Sequence, residues 1–200
     1  MWYKDVLDDN GDPTGERETT NKYADATYYV TGGTSIAPVY GGFGTNLYAY
    51  GFDFSIQCSY QIGGKMIDSG YQTAMGSPTS SNTGYSLHAD ILNSWTAENP
   101  SNEIPRFVFG DTYSNATSTR FLTDASYLNI NNINVGYTLP LKWTKKVGGE
   151  KCSLRIYAAC ENVWYWSARQ GFDPRVSYTG TGTAYYSPMR TISGGLTIKF

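Results

Sequence analysis

The pattern closest to a metal site lies near the start of the chain, in the segment DDNGD. Asp8, Asn10 and Asp12 offer oxygen ligands at alternate positions, as a hard cation such as Ca²⁺ prefers. However, Pro13 stands where a calcium loop of the EF-hand type has glycine, and the following ERETT places no acidic residue at the twelfth loop position. We therefore predict an acidic surface turn, with a metal site only as the weaker alternative.

The single histidine, His88, is the other residue that could take part in catalysis, with Asp90 two positions further on. Residues i and i+2 of a helix do not face each other, so the two make a poor catalytic pair. The sequence offers no set of nucleophile, base and orienting group around them. We expect a solvated or hydrogen-bonded loop histidine, a protein that is not an enzyme, and no cofactor.

The composition indicates an all-β protein with an interface. Charges are few and balanced, with 15 Lys and Arg against 17 Asp and Glu, so the electrostatic case for nucleic acid or an anionic surface is missing. Tyrosine (18 residues) and glycine (22 residues) are abundant. Tyrosine suits half-buried strands and boundaries between an apolar phase and water.

Hydropathy and cysteine spacing leave the class of the protein open. The sequence has no run of roughly 18 apolar residues, as a membrane helix requires. A transmembrane barrel would show only alternating segments of about 10 residues, which is a weaker signal. Cys58, Cys152 and Cys160 match no metal-ligand spacing, and we interpret them as small apolar fillers.

Alternation of apolar and polar residues predicts about five antiparallel strands. It is clearest in FDFSIQCSYQIGGKM, which begins at Phe52, because side chains of a strand alternate between its faces. In SYLNINNINVGYTLP the alternation changes phase, which predicts a bulge near Asn131 and Asn132. The predicted strands cover residues 39–50, 52–67, 125–139, 152–167 and 190–200.

The connections between these strands are asymmetric. The links at 49–51 and 141–151 are short, whereas those at 68–124 and 168–189 are long. Short turns on one side and long extracellular loops on the other are typical of outer-membrane barrels. One short helix is predicted inside the first long loop, in SLHADILNSW, which covers residues 86–95.

Five strands are too few to close a barrel, because bacterial barrels of one chain have an even number of strands, at least about 8. An open sheet in lipid would leave backbone groups at its edges unsatisfied. MWYKDVLDDNGD has neither the basic nor the apolar part of a signal peptide. We therefore expect either a soluble β-domain or, preferably, the last piece of a larger barrel.

Several long motifs favour the last piece of a larger barrel over a soluble β-domain. In order along the chain they are YGGFGTNLYAYGFDFSIQCSYQIGGKMID, TDASYLNINNINVGYTLPL, SLRIYAACENVW, GFDPR and YSPMRTISGGLTIKF. They resemble the C-terminal part of SusC/RagA-like TonB-dependent outer-membrane transporters, and the resemblance runs from about Trp2 to Phe200.

The resemblance implies a transmembrane barrel of about 22 strands, of which this chain supplies the C-terminal segment. It also implies import of oligosaccharides or peptides across the outer membrane of a Gram-negative bacterium, with energy from TonB and a SusD-like lipoprotein as partner. The plug, the TonB box and the signal peptide would lie upstream of this chain. Phe200, the terminal aromatic residue, would be the signal that the barrel-assembly machinery recognises.

Aromatic residues supply the remaining site candidates. Trp164, Tyr165 and Trp166 could stack on sugar rings, but their place at the end of a strand favours an aromatic girdle at the membrane boundary. Aromatic residues in the long loops are candidates for contact with the cargo, although packing within the loop is the default for each. These are Tyr71, Tyr85, Trp95, Tyr113, Tyr185 and Tyr186.

The alternative from another class is a free-standing soluble β-sandwich that binds glycans through the same aromatic residues. Alternating strands and glycine-rich turns would suit that fold as well. The end of the chain on Phe200, the one-sided loop lengths and the long apolar strand faces favour the barrel segment.

Overall fold

The computed structural model describes most of the chain, in two compact units. One unit contains residues 1–33 and 67–122, and the other contains residues 34–66 and 123–200. The described ranges are 2–30, 33–80, 84–100, 103–148, 152–176, 181–182 and 188–199.

The first unit begins with a β-hairpin that the alternation patterns did not predict. Strand β1 (Trp2–Leu7) pairs antiparallel with strand β2 (Pro13–Thr20). The segment DDNGD forms the turn between them, and Gly11 takes the positive φ of 87° that few other residues adopt. The predicted acidic surface turn is therefore the connection of a hairpin.

The long segment that follows residue 68 contains short helices. Helix α1 (Ser69–Ala74) was not predicted and starts where the Asp68 carboxylate accepts the N–H of Tyr71. The helix predicted over residues 86–95 is only a 3-10 helix, Ala89–Asn93. It is short because His88 Nδ1 accepts the Asp90 N–H at its start (3.2 Å), and its C-cap Ser94 has left the helical conformation. Elsewhere in the described ranges, 3-10 helices cover Tyr23–Asp25, Thr119–Phe121 and Pro174–Val176.

The second unit is built on a five-stranded antiparallel sheet, which confirms the predicted all-β class. Its central strand is flanked on each side by two others, in the order β10, β8, β7, β4, β3. The strands are β3 (Val39–Ala49), β4 (Phe52–Ile62), β7 (Tyr127–Thr138), β8 (Ser153–Ser167) and β10 (Thr191–Lys199). Three short strands, β5 (Lys65–Asp68), β6 (Leu122–Asp124) and β9 (Thr181–Gly182), form a separate sheet.

The connection between β3 and β4 is a two-residue turn. Tyr50 (φ 51°) and Gly51 (φ 87°) both have positive φ, as the type I′ turn of a tight hairpin requires. The N–H of Thr138, at the end of β7, donates to the Gly51 carbonyl at 2.7 Å. This bond fixes the turn against the neighbouring strand.

The predicted bulge lies at Asn131 in β7. On one side of β7, Gln57 pairs with Asn132 and Cys58 with Ile130, so Asn131 has no partner in β4. The register between β7 and β8 shifts at the same place. The bulge restores the phase of the side chains, so that the apolar residues on both sides of it share one face.

The strand predicted over residues 52–67 is wrong at its end, because β4 stops at Ile62. Gly63 and Gly64 both have positive φ (85° and 84°), which breaks the extended chain before β5 begins. A small core of Met66, Ala125 and Phe172 lies beyond this break.

Helix α2 (Leu141–Gly148) occupies the connection between β7 and β8 and was not predicted. It begins directly after Pro140, whose carbonyl accepts the N–H of Trp143 at 2.9 Å. Among the described residues, no helix is long and apolar enough to cross a membrane.

Candidate functional site

The five-stranded sheet has one apolar face, and the register aligns its residues in rows across all strands. One row contains Thr45, Ile56, Ile133, Cys160 and Ile192. The next contains Leu47, Phe54, Val135, Ala158 and Gly194, and a third contains Ala49, Phe52, Tyr137, Ile156 and Leu196. We call this surface the apolar face.

Among the described residues, twelve large side chains of the apolar face are exposed, from 44% for Val135 to 77% for Ile192, whereas Phe54, Ile56 and Ile133 are half-buried among their neighbours. Single exposed apolar residues are ordinary, but a contiguous patch of this kind marks a contact with a partner or a membrane. The exposed members are Val39, Phe43, Leu47, Phe52, Ile62, Val135, Ile156, Trp164, Trp166, Ile192, Leu196 and Ile198.

The opposite surface, which we call the polar face, carries an ion pair that spans three strands. Arg155 of β8 binds Asp53 of β4 through two contacts, Nε to Oδ1 at 2.8 Å and Nη2 to Oδ2 at 2.5 Å. It crosses β7 at Gly136, where a Cβ would lie 2.5 Å from Asp53 Oδ1. Glycine at 136 therefore makes room for the pair.

The bulge adds a cluster of polar side chains to the same face. Ser59 Oγ donates to Asn131 Oδ1 at 3.0 Å, and Asn129 Nδ2 donates to the same oxygen. Asn129 is buried, and its Oδ1 accepts no hydrogen bond from the described residues. Gln61 Nε2 extends the network to the Ala125 carbonyl at 3.1 Å.

A cavity of about 450 Å³ lies beside the end of β8, along residues 162–167. Trp164 and Trp166 are half exposed with ring centroids 5.9 Å apart, and both belong to the apolar face. Tyr165 lies on the polar face, where its ring receives the guanidinium of Arg175 at 4.5 Å. The structure thus places two of the three predicted girdle residues on the exposed apolar surface and the third on the other side.

A second cavity, of about 390 Å³, lies at the end of the polar face that is remote from the Tyr50–Gly51 turn. We call it the mouth pocket. Its polar lining consists of two tyrosine rings, a glutamine amide and an arginine guanidinium, and apolar side chains complete it. The lining residues are Ser35, Ile36, Ala37, Tyr40, Gln61, Met66, Tyr127, Pro174, Arg175 and Val176.

The GFDPR motif builds one wall of the mouth pocket. Phe172 is buried in the core beside Met66 and Ala125, which fixes the segment. Asp173 binds Arg175 through Oδ1 to Nε at 2.8 Å and Oδ2 to Nη2 at 2.6 Å. Hydrogen bonding to the Asp173 carboxylate raises the pKa of Arg175 above its ordinary value. The wall thus carries a paired charge.

Sequence patterns alone missed the residues of the mouth pocket as a site. Tyr40, Gln61 and Tyr127 align in one row of the polar face. The alternation of side chains places them on that face, but only the fold brings them beside GFDPR, which lies 44 to 48 residues after Tyr127 in the chain.

The predicted loop aromatics do not meet in one site. Tyr71 packs edge-on against His88 with centroids 4.8 Å apart, and its hydroxyl donates to Asp90 Oδ2 at 2.8 Å. It is therefore part of the packing of its own loop. Tyr85 and Tyr113 are exposed, at 74% and 56%, and Trp95 is less so at 39%; all three stay candidates for cargo contact. Tyr185, Tyr186 and Phe200 lie outside the described residues.

The possible calcium ligands serve the hairpin turn instead. Asp8 Oδ1 accepts the N–H groups of Asn10 and Asp12, each at 2.9 Å. These bonds, with the Asp12 contribution largest, lower the pKa of the Asp8 carboxyl. Within the described ranges no group of three or more His, Cys, Asp or Glu could hold a metal ion.

No family model matches the chain. A comparison with curated proteins finds relatives that are named TonB-dependent receptors. TonB-dependent receptor P3 of Formosa agariphila is 27% identical over 171 residues, which is 80% of this chain and 16% of that protein. TonB-dependent receptor P26 of the same organism is 23% identical over 126 residues, 58% of this chain and 12% of its own length. The chain thus spans less than a fifth of either relative.

The fold matches solved structures of a transporter over nearly the whole chain. The RagAB peptide importer in its closed-closed state has a TM-score of 0.71 at 21% identity, over 98% of this chain and 20% of that one. The structure of the RagAB peptide transporter gives a TM-score of 0.72 at 19% identity, over 99% and 22%. The chain is thus similar in sequence to TonB-dependent receptors, and its open antiparallel sheet has the fold of one part of the RagAB transporter structures. Both findings are consistent with the resemblance of its motifs to the C-terminal part of SusC/RagA-like transporters.

Proposed function

We propose that this chain forms part of the wall of an outer-membrane active transporter that imports large nutrients in a Gram-negative bacterium. The observation that carries the proposal is the exposed apolar face, which extends over all five strands of the sheet. In a transmembrane barrel the outward face is apolar and the inward face polar. The apolar face would contact lipid, and the polar face would line the lumen.

The strand lengths support this assignment. A tilted strand needs about 9–11 residues to cross the hydrocarbon core. Strands β3 and β4 have 11 residues each, β7 has 12, β8 has 15 and β10 has 9. Each is long enough to span, and the longer β8 would extend beyond the core, where Trp164 and Trp166 would lie at the membrane boundary.

The position of the charges supports the same orientation. Asp53, Arg155 and the amides around Asn131 all belong to the polar face. Charged and amide groups are costly in hydrocarbon but acceptable beside water or a polar protein surface. The sheet therefore has one side suited to lipid and one suited to an interior.

Energy and partners would come from outside this segment. We propose TonB as the energy source, acting through parts of the receptor other than this sheet, and a SusD-like surface lipoprotein as the partner of the long-loop side. The names of the relatives, TonB-dependent receptors and the RagAB peptide importer, support both. The barrel-assembly machinery would insert the complete protein.

The cargo would be an oligosaccharide or a peptide, met first by the long loops and the mouth pocket. Tyr40, Tyr127 and Gln61 offer two rings and an amide, groups that suit either class of molecule. Tyr85, Trp95 and Tyr113, which are exposed in the other unit, are separate candidates for contact with the cargo. The names of the relatives describe receptors and an importer and no enzyme, so we propose binding and transport as the role of these groups.

The alternative of a soluble glycan-binding sandwich requires a second sheet that covers the apolar face. The exposure of Phe52, Ile156 and Leu196 shows that no described segment covers it there. No observation specifically favours this alternative.

Arginine substitution on the two faces of β4 tests the proposal. Ile56 lies on the apolar face and its neighbour Gln57 on the polar face, near the middle of the strand. In the complete receptor folded into lipid vesicles, Ile56→Arg should lower the free energy of unfolding by about 2–4 kcal/mol, because the charge would enter the bilayer centre. Gln57→Arg, the matched control, should change it little. Equal losses for the two variants would contradict the assignment of the faces.

A further inference from the structure

The long loop of the first unit contains a half-buried arginine whose partners are all neutral. The Arg120 guanidinium donates through Nη1 to the Ser114 carbonyl at 3.0 Å. It also lies 5.0 Å from the centre of the Phe121 ring. Among the described residues, no Asp or Glu forms an ion pair or a hydrogen bond with it. The positive charge of Arg120 therefore has no opposite charge beside it.

Burial makes this charge costly. It lowers the pKa of Arg120 from its ordinary value, because a charged group loses hydration when it is covered. Arginine nevertheless stays protonated in proteins, and its guanidinium has five N–H donors. The described hydrogen bonds of Arg120 involve only Nη1. An acceptor with negative charge would satisfy the remaining donors and offset the charge at the same time.

A small cavity of about 10 Å³ is lined by Arg120. A cavity of about this volume holds one water-sized particle. Arg106 lines the same cavity, and none of the described lining residues is acidic. Two guanidinium groups around one cavity repel each other, and an anion between them turns that repulsion into attraction.

A buried hydroxyl belongs to the same cavity. Ser77 is one of the lining residues, is 5% exposed, and its side chain makes no hydrogen bond within the described ranges. Ser94, a second buried serine of the lining, donates its hydroxyl to the Ile91 carbonyl at 2.5 Å, so its proton is already used. A buried hydroxyl without a partner is unfavourable. Ser77 therefore supplies a donor to a particle in the cavity.

We propose that this cavity binds one chloride ion and that the ion orders the long loop. Arg120, Arg106 and Ser77 donate to the ion, and its charge offsets that of the half-buried guanidinium. A water molecule would accept the same hydrogen bonds but leave both positive charges unopposed. Sulfate and phosphate are larger than the volume allows. The lining comes from separate segments between residues 75 and 120, so the ion joins parts of the loop that are distant along the chain. The site does not depend on the proposed function.

Bromide, which replaces chloride in such sites, tests the location of the ion. Crystals of the complete receptor grown in sodium bromide should show an anomalous peak in the cavity, within hydrogen-bond reach of Arg120 and Ser77. Hydrogen exchange of the receptor in detergent tests the effect of the ion on the loop. Peptides that cover residues 75–77 and 91–94 should exchange more slowly in sodium chloride than in sodium gluconate at equal ionic strength, because gluconate is too large for the cavity.

Three variants make the exchange experiment specific. Arg120→Gln should abolish the dependence on chloride. Ser77→Ala keeps the net charge and should raise the chloride concentration for half-maximal protection about tenfold, as the loss of one hydrogen bond to a charged group does. It tests the site even if Arg120→Gln does not fold. Lys22→Gln, an equal change of charge at an exposed position of the same unit, is the control and should leave the dependence unchanged.

Water in the cavity of the bromide crystals, or equal exchange of the parent receptor in the two salts, overturns the proposal. A bromide peak without chloride-dependent exchange means an adventitious ion only and overturns it as well.

Discussion

At the scale of single residues, Gly136 of β7 has no side chain and so leaves room for an ion pair between the strands on either side of it, β4 and β8. Asp53 and Arg155 are not on neighbouring strands, and the guanidinium reaches the carboxylate only by crossing β7. A bidentate pair of this kind is stronger and more directional than a single hydrogen bond. It links β4 to β8 independently of the backbone ladders.

We predict that Gly136→Ala lowers the free energy of unfolding by about 1–3 kcal/mol, as overpacking of a filled site does. The new Cβ would lie 2.5 Å from Asp53 Oδ1 and would force the ion pair apart. Urea unfolding of the complete receptor in lipid vesicles measures the change.

Gly194→Ala in β10 is the matched control. A Cβ at this position meets only the Tyr157 carbonyl oxygen, at an ordinary 3.5 Å. Glycine inside a strand is less favourable than alanine by roughly 0.5–1 kcal/mol, so this variant should be neutral or slightly stabilised. A loss at Gly194 as large as at Gly136 would mean that glycine is required for another reason than the ion pair.

At the scale of elements, the hairpin of β3 and β4 depends on its two-residue turn. Gly51 has a φ of 87°, and a Cβ there would lie 2.7 Å from the Thr138 carbonyl oxygen. Gly51→Ala should therefore cost about 1–3 kcal/mol of unfolding free energy, measured by the same urea titration. Tyr50 also has positive φ, a conformation that asparagine tolerates better than tyrosine.

Tyr50→Asn consequently provides the opposite test in the same turn. Tyr50 is fully exposed, so its ring contributes no packing that the substitution would remove. The variant should be at least as stable as the parent. If Tyr50→Asn and Gly51→Ala destabilise the protein equally, the stability of the turn does not depend on residues that tolerate positive φ.

The elements also show what alternation can and cannot predict. The five long strands and the bulge at Asn131 follow from a period of two, because each strand has an apolar side and a polar side. The end of β4 at Ile62 depends on the φ of Gly63 and Gly64, which alternation does not encode. The hairpin at the start of the chain was missed because its second strand, PTGERETT, is polar on both faces.

Site residues were harder to predict than strands, for a physical reason. The mouth pocket joins Tyr40 to Arg175 through the fold, and no local pattern relates two positions so far apart. Tyr71 was chosen for its place in a long loop, but its contacts with His88 and Asp90 make it part of the loop packing. A role in binding depends on which groups remain accessible, and only the three-dimensional structure determines that.

At the scale of the whole molecule, the sheet is unfinished in two directions. Within the described residues β3 and β10 each pair on one side only, so both edges offer unpaired backbone groups. The apolar face is open as well. In the proposed barrel, neighbouring strands would pair with the edges and lipid would cover the face.

We therefore predict that residues 1–200, expressed alone, do not form a stable monomer in water. Each large side chain of the apolar face would be worth about 1.5–3 kcal/mol if it were buried, so self-association through that face is strongly favoured. Open edges add a route to strand pairing between copies. Sedimentation velocity without detergent should show polydisperse assemblies. A mild detergent covers the apolar face but not the edges, so it should reduce these assemblies to short oligomers held together by strand pairing. A single monomeric species with a cooperative thermal transition in plain buffer would contradict the barrel segment and favour a self-sufficient soluble domain.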